Sequence, residues 1–117
     1  MLLEQSLAAC FEQAQDNCYT YRIDSALPVF KGHFPDNPLL PGVCQLGLCA
    51  DAVSRQLKRS VEIDTVSRCK FMAPIRPGQS IEVVLISRPD RKILAELRLA
   101  DSQIKVSQLI FTVRDRV

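Results

Sequence analysis

The chain has a single histidine, His33, and it lies in the most constrained stretch, Phe30-Lys-Gly-His-Phe-Pro-Asp-Asn-Pro-Leu-Leu-Pro-Gly-Val43. Three prolines and two glycines punctuate this run. Proline fixes φ and glycine relieves steric limits, so the segment reads as a rigid loop that presents a side chain. An imidazole exchanges protons near neutral pH, and on a stiff loop beside a helix N-terminus it is suited to acid–base chemistry. The same residues also suit a histidine that merely caps a turn. A second chemistry is conceivable, with Cys44 at the helix start as a nucleophile paired to His33, because a thiol there can lose its proton more readily. A cysteine among apolar neighbours is, however, more often inert packing.

Composition narrows the classes. A length of 117 residues suits one domain spanning 1–117. The net charge of +2 is too small to argue for nucleic acid. Basic residues cluster at Arg55, Lys58 and Arg59 and again at Arg88, Arg91 and Lys92, either as a solvated surface or as a docking patch for an acidic partner. Five cysteines with no Cys-x-x-Cys pair and one histidine argue against a metal site and fit free thiols in a reducing, cytoplasmic setting. Leu7-Ala8-Ala9-Cys10 looks like a lipoprotein cleavage box, but the nine residues before Cys10 include Glu4 and no Lys or Arg, so no signal peptide is expected. No apolar run reaches membrane-spanning length, so no membrane association is expected.

The elements that must position His33 follow from periodicity. Leu3, Leu7, Phe11 and Ala14 recur at helical spacing and predict a short amphipathic helix over residues 2–15. Tyr19, Tyr21 and Ile23 alternate with polar residues and predict a strand. From Pro41 to about Arg59 the pattern is helical, with Pro41 suited to the first helical position. Between Val43 and Ala50 this helix is apolar on nearly every side except Gln45, which implies burial over most of its surface. In so short a chain only a curved sheet could wrap it. Strands are predicted at Val61 to Phe71, Ile81 to Ile86, Ile93 to Leu99 and Ile104 to Val113. Arg76-Pro77-Gly78-Gln79 reads as a type II turn, Pro89-Asp90 as a break and Asp101-Ser102 as a turn. A change of phase near Ser107 predicts a bulge or a strand covered on both faces. Sequential strands with short connections should pair antiparallel. The fold expected is therefore α+β: an antiparallel sheet wrapped around one central buried helix, the hotdog architecture. Its open edge should favour dimerisation.

The string Gly32-His33-Phe34-Pro35-Asp36-Asn37-Pro38-Leu39-Leu40-Pro41-Gly42-Val43, followed by a helix, resembles the active-site signature of the 3-hydroxyacyl-acyl-carrier-protein dehydratases. Lys70-Phe71 and Pro74-Ile75-Arg76-Pro77-Gly78 are similar to the strand and turn that follow the central helix in that family. The short dehydratase-like proteins of aryl-polyene and related lipid clusters are similar in length and motif. The resemblance implies elimination of water from a β-hydroxyacyl thioester, with His33 as the base that removes the α-proton. The backbone N–H groups of Gly42 and Val43 would receive the charge that develops on the thioester oxygen. Phe34, Pro41 and Gly47 would line the substrate site. The chemistry needs no cofactor. The implied partner is an acyl carrier protein bearing a phosphopantetheine-linked acyl chain, and the implied assembly is a homodimer or a heterodimer with a related hotdog chain.

One position departs from the family. Where the family carries an acidic residue on the helix, this chain has Gly47. The nearest carboxylate is Asp51, four residues on and on the same face, either a substitute acid or an ordinary polar residue. Three outcomes follow: His33 carries both proton transfers, a partner subunit completes the site, or the chain is a catalytically weak subunit beside an active one. A hotdog thioesterase, with His33 or Asp51 activating water, is a further reading that the intact His-Phe-Pro…Pro-Gly-Val string disfavours.

Overall fold

A computed structural model of the chain describes residues 3–32 and 36–116. Its elements are α1 (Leu3–Ala8), β1 (Phe11–Gln15), β2 (Cys18–Arg22), α2 (Val29–Gly32), α3 (Gly42–Leu57), β3 (Val61–Phe71), β4 (Ser80–Ser87), β5 (Ile93–Leu99) and β6 (Lys105–Asp115). The six strands form one antiparallel sheet in the order β1-β2-β4-β5-β6-β3. Helix α3 lies against one face of it, so the architecture is α+β of the hotdog type. No helix among the described residues is long and apolar enough to cross a membrane.

The core is where the two periodicities meet. Ile81, Val83 and Leu85 of β4, Ala95 and Leu97 of β5, and Leu109 and Phe111 of β6 all face inward at period two. Cys44, Leu48, Cys49, Ala52 and Val53 of α3 cover them. Polar residues on the other sheet face pair across strands, as in the 2.8 Å contact of Arg98 with Glu82. The phase change in the last strand is a bulge. Leu97 faces Ser107 and Arg98 faces Lys105, which leaves Val106 as the extra residue. Its carbonyl accepts hydrogen bonds from the N–H groups of both Met72 and Ala73.

Four expectations are corrected. The helix predicted over residues 2–15 stops at Ala8, and Phe11–Gln15 pairs with β2 as an edge strand, with little of it buried to mark its period. β3 and β4 are not neighbours: β3 pairs with β6, and residues 72–79 pass over β6 and β5 to reach β4. Ile104, expected as the first residue of the last strand, lies just before β6 and is 55% exposed. Finally, α3 is not buried all round. Val43 is 70% exposed, and Leu46, Gly47 and Ala50 are only partly covered. That stripe of α3 faces away from the sheet.

Candidate functional site

The start of α3 is built by Pro41. Its φ of −63° and ψ of 154° make it the N-cap, so Gly42 rather than Pro41 is the first helical residue. The Pro41 carbonyl accepts from the N–H groups of Cys44 (3.0 Å) and Gln45 (3.3 Å). The N–H groups of Gly42 and Val43 therefore have no acceptor among the described residues, as expected in a first turn without a side-chain cap. Gly42 lets the Phe71 ring lie close over the helix start: a Cβ there would stand 2.8 Å from Cζ of Phe71, so the half-exposed ring would have to move. The half-exposed Phe71 ring, Pro41, Gly42 and the buried Gln45 line a cleft of about 390 Å³ at this helix end. Gln45 is fixed from below, its Oε1 accepting a 2.7 Å hydrogen bond from Ser107 at the β6 bulge.

The loop that leads into α3 is pinned at two points. The Leu40 N–H donates to the Ile75 carbonyl at 2.8 Å, and Arg76 donates to Asn37 Oδ1. Gly78 has φ +84° in the turn from Arg76 to Gln79, the left-handed value that glycine adopts freely. Thus the Pro-Ile-Arg-Pro-Gly segment and the Asp-Asn-Pro segment hold each other. His33 and Phe34, the expected base and one expected lining residue, lie outside the described residues.

Val43, Gly47 and Asp51 recur every four residues on the uncovered stripe of α3. They line one cleft of about 670 Å³, whose walls are α1 and the start of β3. Gly47 takes glycine for a packing reason, because a Cβ there would lie 2.8 Å from Cδ1 of Leu7 on α1. Asp51 is held firmly. Its Oδ2 accepts from the Tyr21 hydroxyl at 2.6 Å and from Arg55 Nε at 2.7 Å. Its Oδ1 carries no hydrogen bond to another described residue. Burial, reinforced by the neighbouring Asp51 carboxylate, pushes the Tyr21 hydroxyl well above the usual phenol range, so it stays a donor. Arg55 also donates to the Ala8 carbonyl at 3.2 Å and stacks 3.8 Å over the Phe11 ring.

Tyr21, Arg55 and Phe71 are the neighbours that sequence reasoning did not assign. Arg55 was within reach of it, since Asp51 and Arg55 form an i,i+4 pair. The structure also draws Arg55 and Arg59 out of the first basic cluster, committing them to Asp51 and Asp115. Cys44 is fully buried and its thiol is pushed up by desolvation, the opposite of an activated nucleophile.

Comparisons with known proteins point to one family. The family model of the ApeI-like proteins, described as ApeI dehydratase, matches residues 10–110. The 3-hydroxyacyl-[acyl-carrier-protein] dehydratase FabZ of a Bradyrhizobium species is 37% identical over 76 residues, 57% of this chain and 50% of the relative. The Caulobacter vibrioides FabZ is 35% identical over 65 residues, 48% of this chain and 41% of the relative. The chain thus spans about half the length of these relatives. Among solved structures, the dehydratase heterocomplex ApeI:P of Xenorhabdus doucetiae superposes with a TM-score of 0.72 at 24% identity, covering 88% of this chain and 92% of the other. An Erwinia carotovora protein superposes with a TM-score of 0.71, also at 24% identity, covering 88% and 89%.

Proposed function

The chain belongs to the ApeI-like dehydratase family, and from that premise we propose that it removes water from a 3-hydroxyacyl thioester carried on an acyl carrier protein. The product is the trans-2-enoyl thioester. His33 takes the α-proton as the Cα–H bond breaks and the double bond forms. Negative charge then builds on the thioester oxygen, where the Gly42 and Val43 N–H groups and the positive end of the α3 dipole receive it. The β-hydroxyl departs with one proton as water. The observation that carries this reading is the helix start itself: the N–H groups of Gly42 and Val43 have no acceptor among the described residues, Gly42 lines the cleft at this helix end, and His33 precedes it in the sequence by nine residues.

Asp51 lines the same cleft as Gly47, and with Oδ2 held by Tyr21 and Arg55 we read it as an anchor. Only Oδ1 is open to a substrate, and an acid role would act through that atom. A second hotdog chain is the expected assembly partner. β3 is an 11-residue edge strand that pairs on one side with β6 and carries the exposed Val66 and Phe71. The ApeI:P dehydratase of Xenorhabdus doucetiae is a heterocomplex, which supports a related chain as the partner.

The test is to incubate the purified protein with a 3-hydroxyacyl carrier substrate and follow the intact carrier by mass spectrometry. Loss of one water is expected. Release of the free acid with regeneration of the carrier thiol would instead identify a thioesterase and contradict the reading.

A further inference from the structure

Glycine in a helix interior is less favourable than alanine, so a mid-helix glycine needs a compensating contact. Gly47 stands within the 16-residue α3 and has no positive φ, so conformational freedom does not explain it. Leu7 does. Its Cδ1 stands 2.8 Å from where a Cβ at position 47 would lie, so this methyl group must shift to admit a side chain there. Leu7 is only 2% exposed, so its methyl group has little room to swing aside. Helix α1 is tied down around this contact. Arg55 donates to the Ala8 carbonyl at 3.2 Å, and Glu4 meets Arg116 at 3.0 Å.

We infer that α1 has taken over the volume of a helix acid: Leu7 and Gly47 form one interlock that positions α1 as a wall of the cleft and opposes a side chain at position 47. The steric half stands on its own, and the catalytic half rests on the dehydratase reading. In that half, no acid on α3 at position 47 serves the leaving hydroxyl. The proton that His33 removes from the α-carbon is available to leave with the β-hydroxyl, so one water is lost with no further acid consumed.

The test is a four-protein cycle of wild type, Leu7→Ala, Gly47→Ala and the double variant, compared by thermal unfolding. Glycine to alanine in an unobstructed helix raises the melting temperature of a chain this size by about 4 °C. With Leu7 in place, Gly47→Ala is expected to give no gain or a loss of up to about 8 °C. In the Leu7→Ala background the gain of about 4 °C should return. Equal gains in both backgrounds would overturn the interlock. Dehydration rates of Gly47→Glu and Leu7→Ala/Gly47→Glu test the second half. A rise of about 10²-fold only in the double variant is expected. A rise in Gly47→Glu alone, or a double variant no faster than an active wild type, would overturn the second half. Coupled melting with no water lost by any of the proteins, wild type included, would support the interlock and overturn the dehydratase reading.

Discussion

Replacing Asp51 separates an anchoring residue from a catalytic one. Tyr21 is fully buried and its hydroxyl donates to Asp51 Oδ2 at 2.6 Å. Asp51→Ala leaves that hydroxyl without its acceptor, a loss of about 1–3 kcal/mol. The i,i+4 pair with the partly exposed Arg55 adds about 0.3–0.5 kcal/mol. Together these lower the melting temperature by roughly 5–14 °C, at about 4 °C per kcal/mol for a chain of this size. Asp51→Asn keeps an oxygen for Tyr21 and forfeits the ion pair, so it should melt only about 1–2 °C lower. Tyr21→Phe removes the donor, leaves Asp51 its Arg55 contact, and should lose about 1 kcal/mol. The assay is thermal or urea unfolding of the three variants, paired with the dehydration rate measured well below each melting point. An anchoring Asp51 leaves the Asp51→Asn rate within about tenfold of wild type, because a merely positioned site loses less than one deprived of its proton donor. A rate loss of about 10²–10⁴ in Asp51→Asn with unchanged melting would refute the anchoring role and make Asp51 the acid.

Other outcomes follow from the same packing. Gly42→Ala must displace the half-exposed Phe71 ring and should destabilise by up to about 1 kcal/mol, and Phe71→Ala in the same chain should return most of it in a urea titration. Ser107→Ala leaves the buried Gln45 Oε1 without its donor and should lower the melting temperature by about 4–12 °C. Stability should also fall at alkaline pH. The Cys49 thiol and the Tyr21 hydroxyl are both pushed up, chiefly by burial. Below the unfolded-state values of about 8.5 and 10 both states hold these protons; above them only the unfolded chain lets go, so stability drops by about 1.4 kcal/mol per pH unit for each group. Melting curves between pH 8 and 11 should show Cys49→Ala flattening the first part of that decline.

Much of the scaffold was legible because it rests on strong local signals. Ile93 to Leu99 alternates inward and outward, and β5 occupies that span. The Arg76 to Gln79 turn has proline and glycine where a type II turn requires them, and Gly78 takes the expected positive φ. β3 runs from Val61 to Phe71 as its pattern suggests. What was illegible depends on distant partners. β1 is an exposed edge strand, so Phe11 and Ala14 could be read as continuing the helical spacing of Leu3 and Leu7. The β3–β6 pairing joins segments separated by two whole strands, and no local pattern encodes it. At the site, the positions on α3 were readable from their spacing. The reason for Gly47 was not, because it lies forty residues away in Leu7. The hold on Asp51 by Tyr21 likewise crosses from strand to helix.

Everything proposed for this site turns on His33 being its base. The decisive comparison sets wild type beside His33→Ala on one 3-hydroxyacyl carrier substrate, following the loss of water from the intact carrier over time. Wild type is expected to dehydrate the substrate, with His33→Ala slower by at least about 10²-fold. Equal turnover by the two proteins would contradict that role.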